Sequence, residues 1–251
     1  MGMGFPIHGS TPHHEPGQGH TPNLGRTPQE GTMTHHPQVD DDAKRVPIHH
    51  PHSPSDLMAW REPQGLAVVV PGGPMPAELH GVRFAPSPLV MEGAEQPKDG
   101  PLFDDPLFDP MGRAPAAGAV VVEPDGRIWL VAPTNQFGGA ITTFPKGKTQ
   151  GLGLQDTAIK EVFEESGLRV ELFSHLVDVS RSTSRCRYYL ARRLGGNPAD
   201  MDWETQAVLL APLASLPGLL NLATDHQVLQ ALLERWAEHA SWSPTFPPLN
   251  T

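Results

Sequence analysis

The first 58 residues cannot all join a packed core, and this limits every fold open to the chain. They hold nine of its 13 histidines and nine of its 29 prolines, with few aliphatic side chains and no recurrence of period 2 or 3.6. Such a segment buries too little apolar surface to offset its ordering entropy. It is expected to be a disordered His/Pro-rich N-terminal tail over 1–58, whose removal leaves melting nearly unchanged.

The remaining residues suffice for one domain of ordinary size. The chain has 251 residues and one cysteine, which excludes an internal disulfide and a Cys-based zinc finger. That usage fits a reducing compartment, and the start MGMGFPIHGSTPHHEP lacks the basic end and apolar stretch of a secretory signal, so a cytoplasmic location is expected. No apolar run approaches the ~18–20 residues of a membrane span. The formal charge of -10 argues against nucleic acid or an anionic membrane as a partner. A small phosphate-containing substrate, recognised locally, stays open.

Residues 59–113 read as a short β/loop extension. Leu66–Val70 is strand-like and Ala77–Phe84 is its expected partner. The internal repeat PLFDDPLFDP (101–110) reads as turns that dock Leu and Phe on a neighbouring surface. Packed-domain patterning runs over 114–240, leaving 241–251 as a flexible C-terminus. Ala117–Val122 and Ile128–Val131 flank the turn EPDGR and predict a hairpin. Asp156–Ser166 predicts a helix, with Asp156 as N-cap and Gly167 as stop. Leu168–Val179, Cys186–Ala191 and Trp203–Leu210 predict strands, and Asp225–His239 a closing helix. Strands mixed with helices imply an α+β domain with a mixed sheet. The Leu-rich segment around 209–220 is core or a dimer contact; the oligomeric state is otherwise open, a homodimer included.

The chemistry sits in GKTQGLGLQDTAIKEVFEESGLRV (147–170). Glu161, Glu164 and Glu165 fall at i, i+3 and i+4, one face of a helix, where like charges repel. A divalent cation turns that repulsion into ligation, and hard carboxylate oxygens suit magnesium or manganese. A glycine-rich loop just before the helix lets backbone approach an anion. Together they suggest metal-assisted chemistry on a phosphate ester or anhydride. An ordinary amphipathic helix with a solvated acidic face is the competing reading of the carboxylates alone.

The segment resembles the box of the Nudix hydrolase family, G-x5-E-x7-R-E-U-x-E-E-x-G-U with U apolar. Lys160-Glu161-Val162-Phe163-Glu164-Glu165-Ser166-Gly167-Leu168 matches its second half, with Lys for Arg, and Gly147 matches its first glycine. AAGAVVVEPDGRIWLVAP (116–133) and FPKG (144–147) resemble the family's lead-in. The box is one residue short, and its first glutamate has no equivalent near Leu152–Leu154. The resemblance covers roughly 114–240. It implies an α/β/α sandwich, with the mixed sheet between helices.

It also implies hydrolysis of a nucleoside diphosphate linked to another group X, such as a dinucleoside polyphosphate or ADP-ribose, by water attack with Mg2+ or Mn2+. By position the metal ligands would be Glu161, Glu164, Glu165 and the Gly147 carbonyl. Glu165 and Glu204 are both candidates for general base. Lys146, Lys148, Arg181, Arg185 and Arg187 are candidate substrate ligands; for the arginines, a charged edge strand is an equal reading. Phe137 and Trp203 read either as base-stacking rings or, more simply, as core. A weakened Nudix-fold nucleotide sensor is the alternative function, because the first glutamate is missing.

Overall fold

The computed structural model describes residues 34–85 and 101–238. Residues 1–33 of the expected tail and 241–251 of the expected C-terminus lie outside the described residues.

The tail expectation fails at its inner end. Thr34–Val39 (β1) and Arg45–Ile48 (β2) form an antiparallel hairpin, followed by a 3-10 turn at Leu57–Arg61. Local periodicity misses this because the partners are distant. Gln38 Nε2 donates to the Met201 carbonyl at 3.1 Å, and the side chain of Gln206 donates to the His50 carbonyl at 3.2 Å. His36 and Ile48 are buried, and Trp60 is fully enclosed. Composition argued against a core built from this segment alone, and the segment borrows one instead.

Ala67–Val69 (β3) is the next strand, but its expected partner is elsewhere. Glu78–Leu79 (β4) and Val82–Arg83 (β5) pair only with each other, whereas β3 is the edge of the main sheet. The remaining strands are Ala114–Val122 (β6), Ile128–Pro133 (β7), Lys146–Lys148 (β8), Leu168–Ser180 (β9), Ser184–Gly196 (β10) and Thr205–Ala211 (β11). The helices are Leu154–Ser166 (α1), Leu216–Leu219 (α2) and Ala223–Glu238 (α3). The seven-stranded sheet runs β3-β11-β7-β6-β10-β9, with β8 joined to β6. Only the β6–β10 pairing is parallel, so the sheet is mixed.

The sheet buries both faces, so its central strands read as continuous apolar runs rather than alternating ones. In β6, Ala117, Ala119 and Val121 meet α1 through Ala158 and Val162, while Ala116, Val120 and Val122 face Val228, Leu229 and Leu232 of α3. This is the expected α/β/α sandwich. The Leu-rich segment is core, since Leu209, Leu210, Leu216 and Leu220 are all buried. No described helix is long and apolar enough to cross a membrane.

Buried arginines tie the extension to the domain. Arg193 pairs with Glu123 at 2.5 Å and donates to the Leu79 carbonyl at 2.8 Å, pinning the β4–β5 hairpin. Arg127 donates to the carbonyls of Trp60 and Ala59 at 2.6 and 2.9 Å. In a dry interior these bonds satisfy charges that would otherwise be costly. The repeat at 101–110 docks in part: Phe103 meets Tyr189 edge to face and the Tyr189 hydroxyl donates to Asp105 at 2.6 Å, whereas Leu102 and Leu107, expected to dock too, are exposed.

Helix α1 starts earlier than expected. Its N-cap is Gly153, and Asp156 lies in the first turn, where a carboxylate still complements the helix dipole. It stops at Gly167, whose φ of 66° favours glycine and whose N–H closes on the Phe163 carbonyl at 2.7 Å.

Candidate functional site

The site assembles where β8 crosses the start of β6 and meets α1. Gly147 pairs with Ala117, which places the glycine directly under the helix. A Cβ at Gly147 would collide with the Glu161 carboxylate, so any other residue would displace that group from the strand. One turn on, Glu165 accepts the Lys146 N–H at 2.8 Å. Glu161 and Glu165 are both buried, whereas Glu164 is more open and holds Lys160 Nζ at 2.5 Å. Lys160 also stands 3.7 Å from Glu161, so the lysine in the arginine position spans two carboxylates.

The electrostatics follow from the crowding. Burial drives the Glu165 carboxyl up from 4.5 to about 7; Lys146 opposes the shift, and Glu161 and Glu204 add to it. Glu161 is raised for the same first reason, with Lys160 working against it and Glu164 and Glu204 with it. Glu204, just before β11, is raised by partial removal from water, then by Asp202, Asp41 and Glu164. Asp41 belongs to the turn of the β1–β2 hairpin, a contribution that the sequence does not reveal.

The structure thus gathers Glu161, Glu164, Glu165, Gly147 and Lys146 in one place, with Glu204 close enough to act on their charge. Lys148 follows on the same strand and is exposed. The arginines are placed differently. Arg187 is buried, with a two-point contact to Asp178 (2.7 and 2.8 Å), and it donates to the Pro106 carbonyl. Arg181 pairs with Asp225 of α3 and donates to the Tyr188 hydroxyl. Arg185 donates to Ser180 Oγ at 2.6 Å. Arg187 and Arg181 therefore hold the fold together, which corrects the expectation that they face a phosphate. A strand pattern shows which residues share a face, and says nothing about the carboxylate waiting on the neighbouring strand.

Among the described residues, no three His, Cys, Asp or Glu side chains converge tightly enough to hold a metal ion as they lie. Lys160 occupies Glu164, and the Lys146 amide occupies one oxygen of Glu165. The donor set nevertheless fits a hard divalent cation. Carboxylate oxygens are gathered on one helix face, the glycine strand brings backbone against Glu161, and the buried carboxyls are raised first by loss of water and then by one another's charge.

A family model described as NUDIX domain matches residues 112–234. A Mycobacterium tuberculosis protein carrying the name mutator protein MutT4 is 30% identical over 130 residues, which are 48% of this chain and 52% of that protein. The chain therefore spans about half the length of this curated relative. A solved Ap4A hydrolase from C. elegans is 22% identical and aligns with a TM-score of 0.42 over 51% of this chain and 99% of its own. An ADP-ribose pyrophosphatase from Streptococcus suis is 24% identical, with a TM-score of 0.41 over 49% of this chain and 90% of its own.

Proposed function

Since residues 112–234 place this chain in the NUDIX family, we propose that it is a divalent-metal-dependent hydrolase that cleaves a phosphoanhydride bond in a nucleoside diphosphate linked to a second group. The observation that carries this reading is the Glu161 carboxylate packed on Gly147, where any Cβ would overlap it as it lies. A solvated acidic face does not require that fit.

Glu161, Glu164, Glu165 and the Gly147 carbonyl would hold Mg2+ or Mn2+. When bound, such an ion supplies charge neutralisation at the diphosphate and a more acidic attacking water. The chain's own groups do the rest. Lys146 and Lys148 offset phosphate charge on either side of Gly147. Glu165, held by the Lys146 N–H beside Glu161, is one candidate base for the attacking water. Glu204, just before β11 and less buried than Glu165, is the second candidate base. Lys160 steadies Glu164 without the two-point fork that an arginine would supply.

The experiment is a turnover screen with magnesium or manganese against ADP-ribose, diadenosine polyphosphates, nucleoside triphosphates and a diphosphoinositol phosphate. Products are read by chromatography, with Glu165→Gln as the control. Turnover abolished in the control supports the reading; equal turnover in both proteins overturns the metal and base assignment. The missing first box glutamate favours one second reading, a nucleotide sensor with weakened chemistry. It predicts ligand-dependent thermal stabilisation without product.

A further inference from the structure

Gln38, on strand β1, reaches a turn more than 160 residues away in the sequence. Its Nε2 donates to the Met201 carbonyl at 3.1 Å and to the Asp200 carbonyl at 3.4 Å. These carbonyls close the short 3-10 turn Pro198–Asp200, and oxygens at such an end have no partner within the turn itself. Gln38 is anchored in turn: its N–H donates to Nδ1 of the buried His36 at 3.1 Å.

The stretch that Gln38 grips carries Glu204. Other bonds hold the rest of it. The Asp202 N–H donates to the Glu164 carbonyl at 3.1 Å, which ties the stretch to the helix of carboxylates. The Thr205 N–H closes back on the Asp202 carbonyl at 3.0 Å. Thr134 donates its N–H to the Glu204 carbonyl at 2.8 Å and its hydroxyl to the Trp203 carbonyl at 2.7 Å. The backbone under Glu204 is thus pinned downstream by β7's continuation and upstream by the hairpin. Pro37 and Gln38 also border one cavity of about 430 Å3 with Phe163 and Glu164 of α1 and with Met201 and Asp202. The hairpin therefore stands beside the carboxylate helix, although residues 34–61 precede the family-matched residues 112–234.

A base acts only within hydrogen-bond reach of the water it deprotonates, and a misplacement of about 1 Å can cost roughly a hundredfold in rate. We infer that Gln38 is a positioning residue for Glu204, holding from the N-terminal hairpin the turn that sets this carboxylate against the metal-binding face of α1. The inference rests on the hydrolase reading above and takes Glu204 as its base. Glu165 is the poorer choice, because it is buried and one of its oxygens already accepts the Lys146 N–H.

The test compares the full chain with Gln38→Met, which keeps the side chain's length and removes its donors, alone and combined with Glu204→Gln. Turnover in magnesium is followed with ADP-ribose, diadenosine tetraphosphate, ATP and a diphosphoinositol phosphate. Glu204→Gln should lower kcat by about a hundredfold or more, the usual share of a general base. Gln38→Met should lower kcat by about tenfold and leave KM unchanged, since it touches no substrate. Added to Glu204→Gln it should change nothing further, because no base is left to place. Hydrogen exchange at the Asp202 and Thr205 amides should quicken in Gln38→Met on the order of fivefold, the worth of one ordinary hydrogen bond. The proposal is overturned if Gln38→Met leaves kcat unchanged, whatever exchange does, or raises KM instead. It is also overturned if kcat falls with exchange unaltered, or if the effect multiplies with that of Glu204→Gln. Full turnover in Glu204→Gln alone removes the positioning and leaves the hydrolase reading standing on Glu165. Wild-type protein inert toward all four compounds sinks both together.

Discussion

Two residues carry the sharpest consequences. Glu165 has a folded-state pKa of about 7 against an ordinary 4.5. The folded chain thus holds the proton more tightly than the unfolded chain. The stabilisation is fully present below about 4.5 and is lost as pH rises through about 7. In metal-free protein, Glu165→Gln should therefore stabilise the fold at pH 8 by an amount on the order of 2 kcal/mol, raising the melting temperature, and change little at pH 4. A thermal melt in EDTA at the two pH values checks this; equal effects at both would place the carboxyl in water. Gly147→Ala tests the packing instead. The added methyl must displace the Glu161 carboxylate. Turnover and manganese affinity should each fall by about tenfold to a hundredfold, the scale seen when a ligand shell is disturbed. Titration of manganese by its paramagnetic signal reads the second effect directly.

At the scale of elements, the docked hairpin β1–β2 separates two truncations that composition treats as one. A chain starting at residue 34 should melt like the full chain. A chain starting at residue 59 loses the burial of His36 and Ile48 and the bonds to Met201 and Gln206. Its melting point should fall by roughly 4 °C, for a loss of about 2 kcal/mol. Equal melting of the two would show that the hairpin adds nothing. The same contrast explains what the sequence makes legible. The β6–β7 hairpin, α1 and α3 are visible because each announces itself within a few residues, by turn chemistry or by periodicity. The carboxylate face of α1 is visible for the same reason, since i, i+3 and i+4 are local. The partner of β3, the docking of residues 34–61 and the ion pairs of Arg181 and Arg187 depend on groups distant in sequence, and a single sequence holds no trace of those. Phe137 shows the limit from the other side. Its residue type argues for burial, yet in the loop after β7 it is 85% exposed.

For the whole molecule the question is whether its negative charge is tuned for a cation or merely tolerated. The formal net charge is -10, and the site concentrates part of it in Glu161, Glu164, Glu165 and Glu204. Ordinary salt weakens repulsion between exposed groups over a Debye length of about 8 Å, and does little for buried ones. A bound divalent ion acts on the buried pair directly and binds only the folded state, so it stabilises by mass action: about 2.7 kcal/mol at a hundred times its dissociation constant. Millimolar magnesium should therefore raise the melting temperature by several degrees beyond sodium chloride of matched ionic strength, and EDTA should reverse the gain. In Glu161→Gln/Glu165→Gln the two salts should act alike, because the buried negative charge that distinguishes them is gone. If sodium chloride matches magnesium in the wild-type chain, the stabilisation is screening, and the carboxylate face is a solvated surface rather than a metal site.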